Sequence, residues 1–161
     1  IRAIAPLCKH LVITGGEPML QQAVIIAIHR EFPDYYIEVE TNGSIVPQSE
    51  CEQAVDLFTV SYKTKNSGNT PYELKMSGGR GTSGEKCVYK FVVCREGDFD
   101  EIEEIITQYK LPAGKIFLMP EGVTREEVLK KHPWIIDYCD QKAYRFTTRL
   151  HILTWGGERK R

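Results

Sequence analysis

Four short polar clusters in this chain combine residue types that hold small ligands. Paired glycines let a ligand approach the backbone closely, carboxylates accept hydrogen bonds from ammonium or hydroxyl groups, and a lysine pairs with a carboxylate. Each cluster follows an apolar run that is typical of a buried strand. The four clusters are Thr14-Gly15-Gly16-Glu17-Pro18, Glu40-Thr41-Asn42-Gly43, Ser61-Tyr62-Lys63 and Met119-Pro120-Glu121-Gly122.

Each of these clusters has a structural interpretation beside the functional one. Glu17 could hold an ammonium group, but a glycine pair followed by proline also makes an ordinary strand-to-helix turn. Lys63 could pair with a ligand carboxylate or lie solvated on a loop. Glu121 could accept from an adenosine hydroxyl or cap a helix that begins near Thr124. Their shared position is more informative than any single cluster, because ligands of parallel α/β sheets bind beyond the carboxyl ends of the strands.

A basic pair near the end of the chain is a further candidate. Residues 144–155 predict a last strand, and Arg149 and His151 are two positions apart, so alternation would place both on one face. An arginine and a histidine together suit an anionic heteroaromatic ligand. A purely structural pair fits the same pattern.

The elements that must position these residues alternate along the chain between apolar runs and helical periods. This alternation predicts an α/β fold with a mostly parallel sheet. The predicted strands are residues 10–14, 35–40, 56–61, 88–93, 115–119 and 144–155.

Helical periods fill the intervals between the predicted strands. Pro18 is well placed at a helix start, because its missing N–H would be unpaired there. We expect Asp98 to cap a later helix, Thr124 and Glu127 to form a capping box, and a further helix to begin near Pro133. The apolar face of the first helix, residues 19–30, contains Leu20, Val24, Ile25 and Ile28.

Residues 62–86 interrupt the alternation and are rich in Asn, Ser, Gly, Thr and Lys. A stretch of that length inside a compact domain is usually a lid, a binding loop or a disordered segment, so we predict a mobile loop. Its glycines lack the spacing and the preceding strand of a dinucleotide-binding turn. With 161 residues, of which 42% are hydrophobic, the chain is expected to form a single domain over residues 1–161.

Composition argues against several classes of protein. The net charge is −1, from 21 Lys and Arg against 22 Asp and Glu, which argues against a nucleic-acid or membrane-surface binder. No apolar run approaches the roughly 18 residues of a membrane-spanning helix, and no signal segment is recognisable. The five cysteines are unevenly spaced, with no Cys-x-x-Cys pair, which indicates reduced thiols in a cytosolic protein rather than disulfides or a local zinc site.

The polar clusters, taken in order, resemble the radical S-adenosylmethionine superfamily and, within it, the 7-carboxy-7-deazaguanine synthase family. The broader resemblance is carried by Gly-Gly-Glu-Pro, Glu-Thr-Asn-Gly and Ser-x-Lys at three consecutive strand ends. The narrower one covers nearly the whole chain. It adds Lys90-Phe91-Val92-Val93, Leu118-Met119-Pro120-Glu121-Gly122 and Arg149-Leu150-His151 through Trp155-Gly156.

This resemblance implies a partial (β/α) barrel of the radical S-adenosylmethionine type and an activity in queuosine and deazapurine biosynthesis. Family members convert 6-carboxy-5,6,7,8-tetrahydropterin into 7-carboxy-7-deazaguanine with loss of ammonia. They use S-adenosylmethionine, a [4Fe–4S] cluster and Mg²⁺, and the 5′-deoxyadenosyl radical takes a hydrogen atom from the substrate. The resemblance also implies a flavodoxin- or ferredoxin-type reductant, a homodimer and a cytoplasmic location.

The resemblance further implies which residues contact each ligand, and it leaves the catalytic residues unassigned. The methionyl amino group would meet Gly16 and Glu17, and the end of the chain would close over the pterin. The residues implied to surround S-adenosylmethionine are Gly15, Gly16, Glu17, Pro18, Glu40, Asn42, Ser61, Tyr62, Lys63, Met119, Pro120, Glu121 and Gly122. The residues implied to contact the pterin are Thr14, Arg149, His151, Trp155 and Gly156.

Two features depart from the family pattern. The superfamily holds its cluster with a Cys-x-x-x-Cys-x-x-Cys loop upstream of the Gly-Gly-Glu-Pro strand, and Cys8 is the only cysteine upstream here. Since three thiolates are needed, we expect the chain to be the C-terminal portion of a longer enzyme, with no metal ligand of its own, inactive alone and prone to self-association. Tyr62 stands where the family usually has proline in Ser-Pro-Lys.

Two other functions are compatible with the same residues. Another radical S-adenosylmethionine enzyme, such as an activase of a glycyl-radical protein, shares the first two motifs, although the segment from Arg149 to Gly156 argues against it. A non-catalytic fragment that binds a nucleotide or a partner is supported by the missing cysteine motif.

Overall fold

The computed structural model of the chain describes residues 8–70, 72–77 and 84–156. Contacts between residues divide the chain into two compact units. The first unit falls within residues 1–62 and 72–88, and the second within residues 63–71 and 89–161. None of the helices in the described ranges is long and apolar enough to cross a membrane.

The first unit contains three parallel strands in the order β1-β2-β3. The strands are β1 (His10–Ile13), β2 (Tyr36–Thr41) and β3 (Leu57–Val60). Helix α1 (Gln22–Glu31) connects β1 to β2, and helix α2 (Ser49–Ala54) connects β2 to β3. The sequence prediction of two strand–helix–strand steps is therefore confirmed here.

Alternation along β2 separates an apolar face from a polar one. Ile37 and Val39 are fully buried, together with Phe58 of β3. Glu38 and Glu40 point to the opposite face, because successive residues of a strand alternate. Glu40 lies on this polar face near the carboxyl end of β2, beside the candidate site residue Thr14.

The apolar face predicted for the first helix is partly wrong. Leu20 and Val24 are 74% and 51% exposed, whereas Ile25 and Ile26 are buried. The reason lies in the first turn, since Pro18–Gln21 form a 3-10 helix and α1 begins only at Gln22. A 3-10 turn has three residues rather than 3.6, so the face presented to the core is rotated relative to the predicted one.

The second unit contains three further strands, parallel in the order β4-β5-β6. Strand β4 (Cys87–Val93) belongs to this unit from Tyr89 onward, and it pairs with β5 (Ile116–Pro120), which pairs with β6 (Arg145–Phe146). The helices are α3 (Asp98–Tyr109), α4 (Arg125–Lys142) and α5 (Leu150–Trp155). The predicted parallel α/β class is confirmed.

The sequence predictions for a helix start at Pro133 and for a strand over residues 144–155 are wrong. No new helix begins at Pro133, which lies inside the continuous helix α4. The predicted capping box does form at its start, where Glu127 N–H donates to Thr124 Oγ1 at 3.2 Å and Glu127 Oε2 accepts from Thr124 N–H at 3.1 Å. The predicted strand over residues 144–155 is reduced to two residues followed by α5, so Arg149 and His151 do not share a strand face.

Asp98 does not cap α3 as predicted, because Gly97 occupies the N-cap position. The buried carboxylate of Asp98 instead accepts from the backbone N–H of Cys94 at 2.7 Å and of Arg95 at 3.1 Å. It also accepts from Asn66 Nδ2 at 2.8 Å, which anchors the 3-10 turn Lys65–Ser67. Part of the polar stretch 62–86 is thus bonded to the helix start, whereas residues 71 and 78–83 lie outside the described residues.

We expect Asp98→Asn to lower the free energy of unfolding by about 2 kcal/mol at neutral pH, because an amide cannot accept all these bonds. Burial raises the pKa of Asp98, but the hydrogen bonds from Cys94, Asn66 and Arg95 outweigh it and leave that pKa below its ordinary value. The stabilisation is therefore present above the unfolded-state pKa of about 4 and is lost as the pH falls through the lower folded-state pKa. Urea unfolding between pH 7 and pH 2.5 should show wild type and variant converging only at the acid end.

Candidate functional site

The carboxylate of Glu17 organises the end of β1 and the end of β2. Its Oε1 atom accepts from Met19 N–H at 3.0 Å and from Thr41 Oγ1 at 2.7 Å. Its Oε2 atom accepts from Asn42 N–H at 2.8 Å. A carboxylate offers about four acceptor sites, so these three bonds leave room at Oε2 for one more donor. Glu17 therefore joins two of the predicted clusters and can still meet a ligand ammonium group.

The two glycines before Glu17 leave the backbone open to a ligand. Gly15 and Gly16 have φ of +94° and +55°, and a Cβ at either position would meet no atom within 4 Å. Side chains rarely adopt such φ values, and the open space lets a ligand reach the backbone. Pro18 is buried and opens the 3-10 helix, with Glu17 as its N-cap.

Thr14 and Glu40 are brought together on the polar face of the sheet. Thr14 Oγ1 donates to Glu40 Oε2 at 3.1 Å. Thr14 is exposed and Glu40 is partly buried. The contact joins a residue expected to meet the pterin to one expected to meet S-adenosylmethionine.

The segment of residues 72–77 packs against the Asn42-Gly43 turn. Asn42 Oδ1 accepts from Ser44 N–H at 2.8 Å, which closes the turn, and Gly43 has φ of +80°. The carbonyl of Gly43 accepts from Lys75 N–H at 2.9 Å and from Met76 N–H at 3.2 Å. Leu74 and Met76 are each only 2% exposed, so this segment is packed into the core of the first unit.

Tyr62 and Tyr72 form a pair of rings that holds the same turn. The ring centroids are 4.8 Å apart, and Tyr62 Oη donates to the Tyr72 carbonyl at 3.0 Å. Tyr72 Oη in turn donates to the Asn42 carbonyl at 2.9 Å, and Ser61 N–H donates to the Thr41 carbonyl at 2.7 Å. The side chain of Tyr62 thus fixes the chain through Tyr72. The sequence pattern did not single out Tyr72, although an aromatic residue within a polar loop was an available signal.

In the second unit the end of β5 is held by a lysine of α4. Lys131 Nζ donates to the Glu121 carbonyl at 2.7 Å and to Glu121 Oε2 at 2.9 Å. The alternative that Glu121 caps α4 is therefore wrong, because Thr124 and Glu127 make the cap. Pro120 and Gly122 are buried, and Met119 is half-buried. The sequence pattern did not single out Lys131, because a lysine in a charged helix carries no distinguishing signal.

Arg149 lies at the end of β5 rather than on a strand of its own. Its Nη1 atom donates to the Gly122 carbonyl at 3.2 Å, and its Nε atom is buried without a partner among the described residues. His132 Nε2 lies 2.9 Å from Thr148 Oγ1 and so holds the residue before Arg149. Arg149 precedes α5 as its N-cap, and Gly156 ends that helix with φ of +64°. The structure therefore brings Arg149 together with Gly122.

The remaining predicted site residues of the second unit are more open. His151 is exposed on α5, Trp155 is 49% exposed, and Lys63 is half-buried after the end of β3. Arg149 and His151 do not form the same-face strand pair that was expected. Trp155 keeps a large apolar surface available at the end of the described chain.

The cysteines do not form a metal centre within the described residues. All five are free thiols, and three of them are buried. Burial raises the pKa of the Cys51 thiol to about 11, and burial together with Asp140 raises that of Cys139 to about 11, so both stay protonated at neutral pH. No group of three or more His, Cys, Asp or Glu side chains in the described ranges could hold a metal ion. The described residues therefore do not fit a [4Fe–4S] cluster, which needs at least three thiolates.

Comparison with known proteins gives several close relatives. No protein-family model matches the chain. It is 34% identical over 155 residues to the 7-carboxy-7-deazaguanine synthase of Pyrobaculum aerophilum, covering 93% of this chain and 67% of that protein. The synthases of Rhodopirellula baltica and Halobacterium salinarum are each 28% identical and are covered over 63% and 65% of their lengths. The chain thus spans about two thirds of the length of these relatives.

The fold is also found in a solved structure of another protein. The crystal structure of Streptococcus suis SuiB bound to S-adenosylmethionine matches with a TM-score of 0.54 and 13% sequence identity. The match covers 89% of this chain and 39% of SuiB. At that identity the likeness concerns the path of the backbone.

Proposed function

Because this chain belongs to the 7-carboxy-7-deazaguanine synthase family, we propose that the polypeptide carrying it converts 6-carboxy-5,6,7,8-tetrahydropterin into 7-carboxy-7-deazaguanine. The reaction would release ammonia and serve queuosine and deazapurine biosynthesis. The observation that carries this proposal is the 34% identity to the Pyrobaculum aerophilum synthase over 93% of the chain. The geometry of Glu17 and the adjacent glycines supports it.

S-adenosylmethionine is proposed to bind at the edge formed by Gly15, Gly16, Glu17 and the Asn42 turn. The open backbone of the glycines admits the methionyl group, and the remaining acceptor site at Glu17 Oε2 suits its ammonium. Tyr72 supports this surface from behind by its bond to the Asn42 carbonyl. The further residues proposed to contact S-adenosylmethionine are Pro18, Glu40, Ser61, Tyr62, Lys63, Met119, Pro120, Glu121 and Gly122.

The residues proposed to contact the pterin are Thr14, Arg149, His151, Trp155 and Gly156. Arg149 suits a ligand carboxylate, because its guanidinium uses one N–H on the Gly122 carbonyl and keeps others for an anion. Trp155 suits a flat heteroaromatic ring, because it is half exposed. The catalytic groups stay unassigned.

The [4Fe–4S] cluster needs three thiolates, and the described residues of this chain supply no set that could hold it. Mg²⁺ is part of the same proposal, with its ligands unassigned. We place the cluster ligands upstream, as the family pattern has them, and treat this chain as the C-terminal portion of the synthase. A homodimer, a flavodoxin- or ferredoxin-type reductant and a cytoplasmic location are part of the same proposal.

Iron content tests this assignment directly. The natural gene product should be purified without oxygen, reconstituted with iron and sulfide, and titrated with S-adenosylmethionine. We expect about four irons per polypeptide and saturable binding of S-adenosylmethionine. If the reconstituted protein bound neither iron nor S-adenosylmethionine, the proposed function would be wrong.

A further inference from the structure

The hydroxyl of Thr14 is held by a carboxylate at the proposed substrate site. Thr14 Oγ1 donates to Glu40 Oε2 at 3.1 Å. The register of β1 on β2 pairs Val12 with Glu38, and one further step along the same face brings Thr14 opposite Glu40. The contact therefore follows from the strand pairing rather than from a chance loop conformation.

This contact fixes which way the hydroxyl hydrogen points. An ionised carboxylate has no hydrogen to donate, so the single hydrogen of the Thr14 hydroxyl is directed at Glu40. The lone pairs of Thr14 Oγ1 that remain can only accept. As long as the bond to Glu40 is kept, Thr14 is consequently a hydrogen-bond acceptor toward a ligand and not a donor.

Two other threonines of the first unit also donate to a glutamate carboxylate, but their hydroxyls are not accessible to a ligand. Thr59 Oγ1 donates to Glu38 Oε1 at 2.6 Å, and Thr41 Oγ1 donates to Glu17 Oε1 at 2.7 Å. Both threonines are buried, and Thr41 Oγ1 also accepts from Gly43 N–H at 3.1 Å. Thr14 is exposed, so among these three hydroxyls it presents its acceptor lone pairs to a ligand.

We propose that Glu40 makes Thr14 an obligatory acceptor and that this pair selects the reduced pterin ring over the oxidised one. The proposal rests on the proposed function, since it concerns the same substrate site. In a tetrahydropterin N5 and N8 carry hydrogens, whereas in an oxidised pterin both are lone-pair acceptors. A ring N–H completes a hydrogen bond to Thr14, but a ring lone pair would face another lone pair and lose the bond.

The test compares two ligands that differ in these hydrogens. Dissociation constants of 6-carboxy-5,6,7,8-tetrahydropterin and of oxidised 6-carboxypterin are measured anaerobically on the reconstituted natural gene product with saturating S-adenosylmethionine. Wild type should bind the reduced ligand at least about tenfold more tightly. Thr14→Val removes the acceptor and should bring that ratio close to one. Glu40→Leu frees the hydroxyl to donate and should lower the ratio in the same way.

Matched variants separate selection from general damage. Thr14→Ser keeps the hydroxyl and should keep the ratio, and Thr59→Val, which removes a buried hydroxyl from the analogous pair, should also keep it. A uniform loss of affinity leaves the ratio unchanged, so a damaged variant is not mistaken for an unselective one. An unchanged ratio in both Thr14→Val and Glu40→Leu would overturn this inference while the proposed function stands. A wild type that binds neither pterin would overturn the proposed function itself.

Discussion

Replacement of Glu17 by alanine is expected to abolish binding of S-adenosylmethionine and to lower the free energy of unfolding by about 3 kcal/mol. The side chain accepts three hydrogen bonds, from Met19 N–H, Thr41 Oγ1 and Asn42 N–H. Each bond to a charged acceptor contributes more than a neutral one, and the buried Thr41 hydroxyl loses its acceptor. The same change removes the only carboxylate that the proposal assigns to the methionyl ammonium.

Urea unfolding of the chain and calorimetric titration of the natural gene product with S-adenosylmethionine measure the two effects. Glu104→Ala is a suitable control, because Glu104 is an exposed carboxylate on α3. Its unfolding free energy should stay within about 0.5 kcal/mol of wild type. If Glu17→Ala bound S-adenosylmethionine as tightly as wild type, the assignment of this edge as its site would be wrong.

The second large effect is expected at Gly43. A Cβ there would lie 2.6 Å from Leu74 Cδ1 and 2.7 Å from Val60 Cγ1, and the backbone has φ of +80°. Gly43→Ala therefore combines left-handed strain with a clash in the core, which together should cost about 4 kcal/mol. The segment of residues 72–77 would be displaced from the turn that it covers.

Gly68 offers a control with nearly the same backbone and no clash. Its φ is +72°, and a Cβ would meet nothing within 4 Å. Gly68→Ala should consequently cost only about 1 kcal/mol, the strain alone. Urea unfolding measures the free energy of unfolding of both variants. Equal losses of that free energy would show that Leu74 and Val60 do not pack against the turn as described.

The strands and the candidate clusters could be predicted because their signals are local. Short apolar runs bounded by glycine and asparagine turns indicated β1, β2 and β3, and Thr124 with Glu127 indicated the start of α4. Parallel strands then require their carboxyl ends to meet at one edge, which is why Glu17, Thr41 and Asn42 are in contact.

The failures concern features that depend on packing at a distance. The buried face of α1 shifted because the chain begins that helix with a 3-10 turn, and nothing local to Leu20 encodes the shift. Pro133 loses one helical bond but stays inside α4, where Ile135 and Cys139 pack into the core on one side. The contacts of Tyr72 and Lys131 join residues ten or more positions apart, so no spacing rule could reveal them.

Product formation tests the central claim most directly. The natural gene product, reconstituted and reduced without oxygen, is given S-adenosylmethionine and 6-carboxy-5,6,7,8-tetrahydropterin, and the products are identified by mass spectrometry. The account predicts 7-carboxy-7-deazaguanine from wild type and none from Glu17→Ala. A protein that binds about four irons and cleaves S-adenosylmethionine, yet leaves the carboxypterin unchanged, would contradict it.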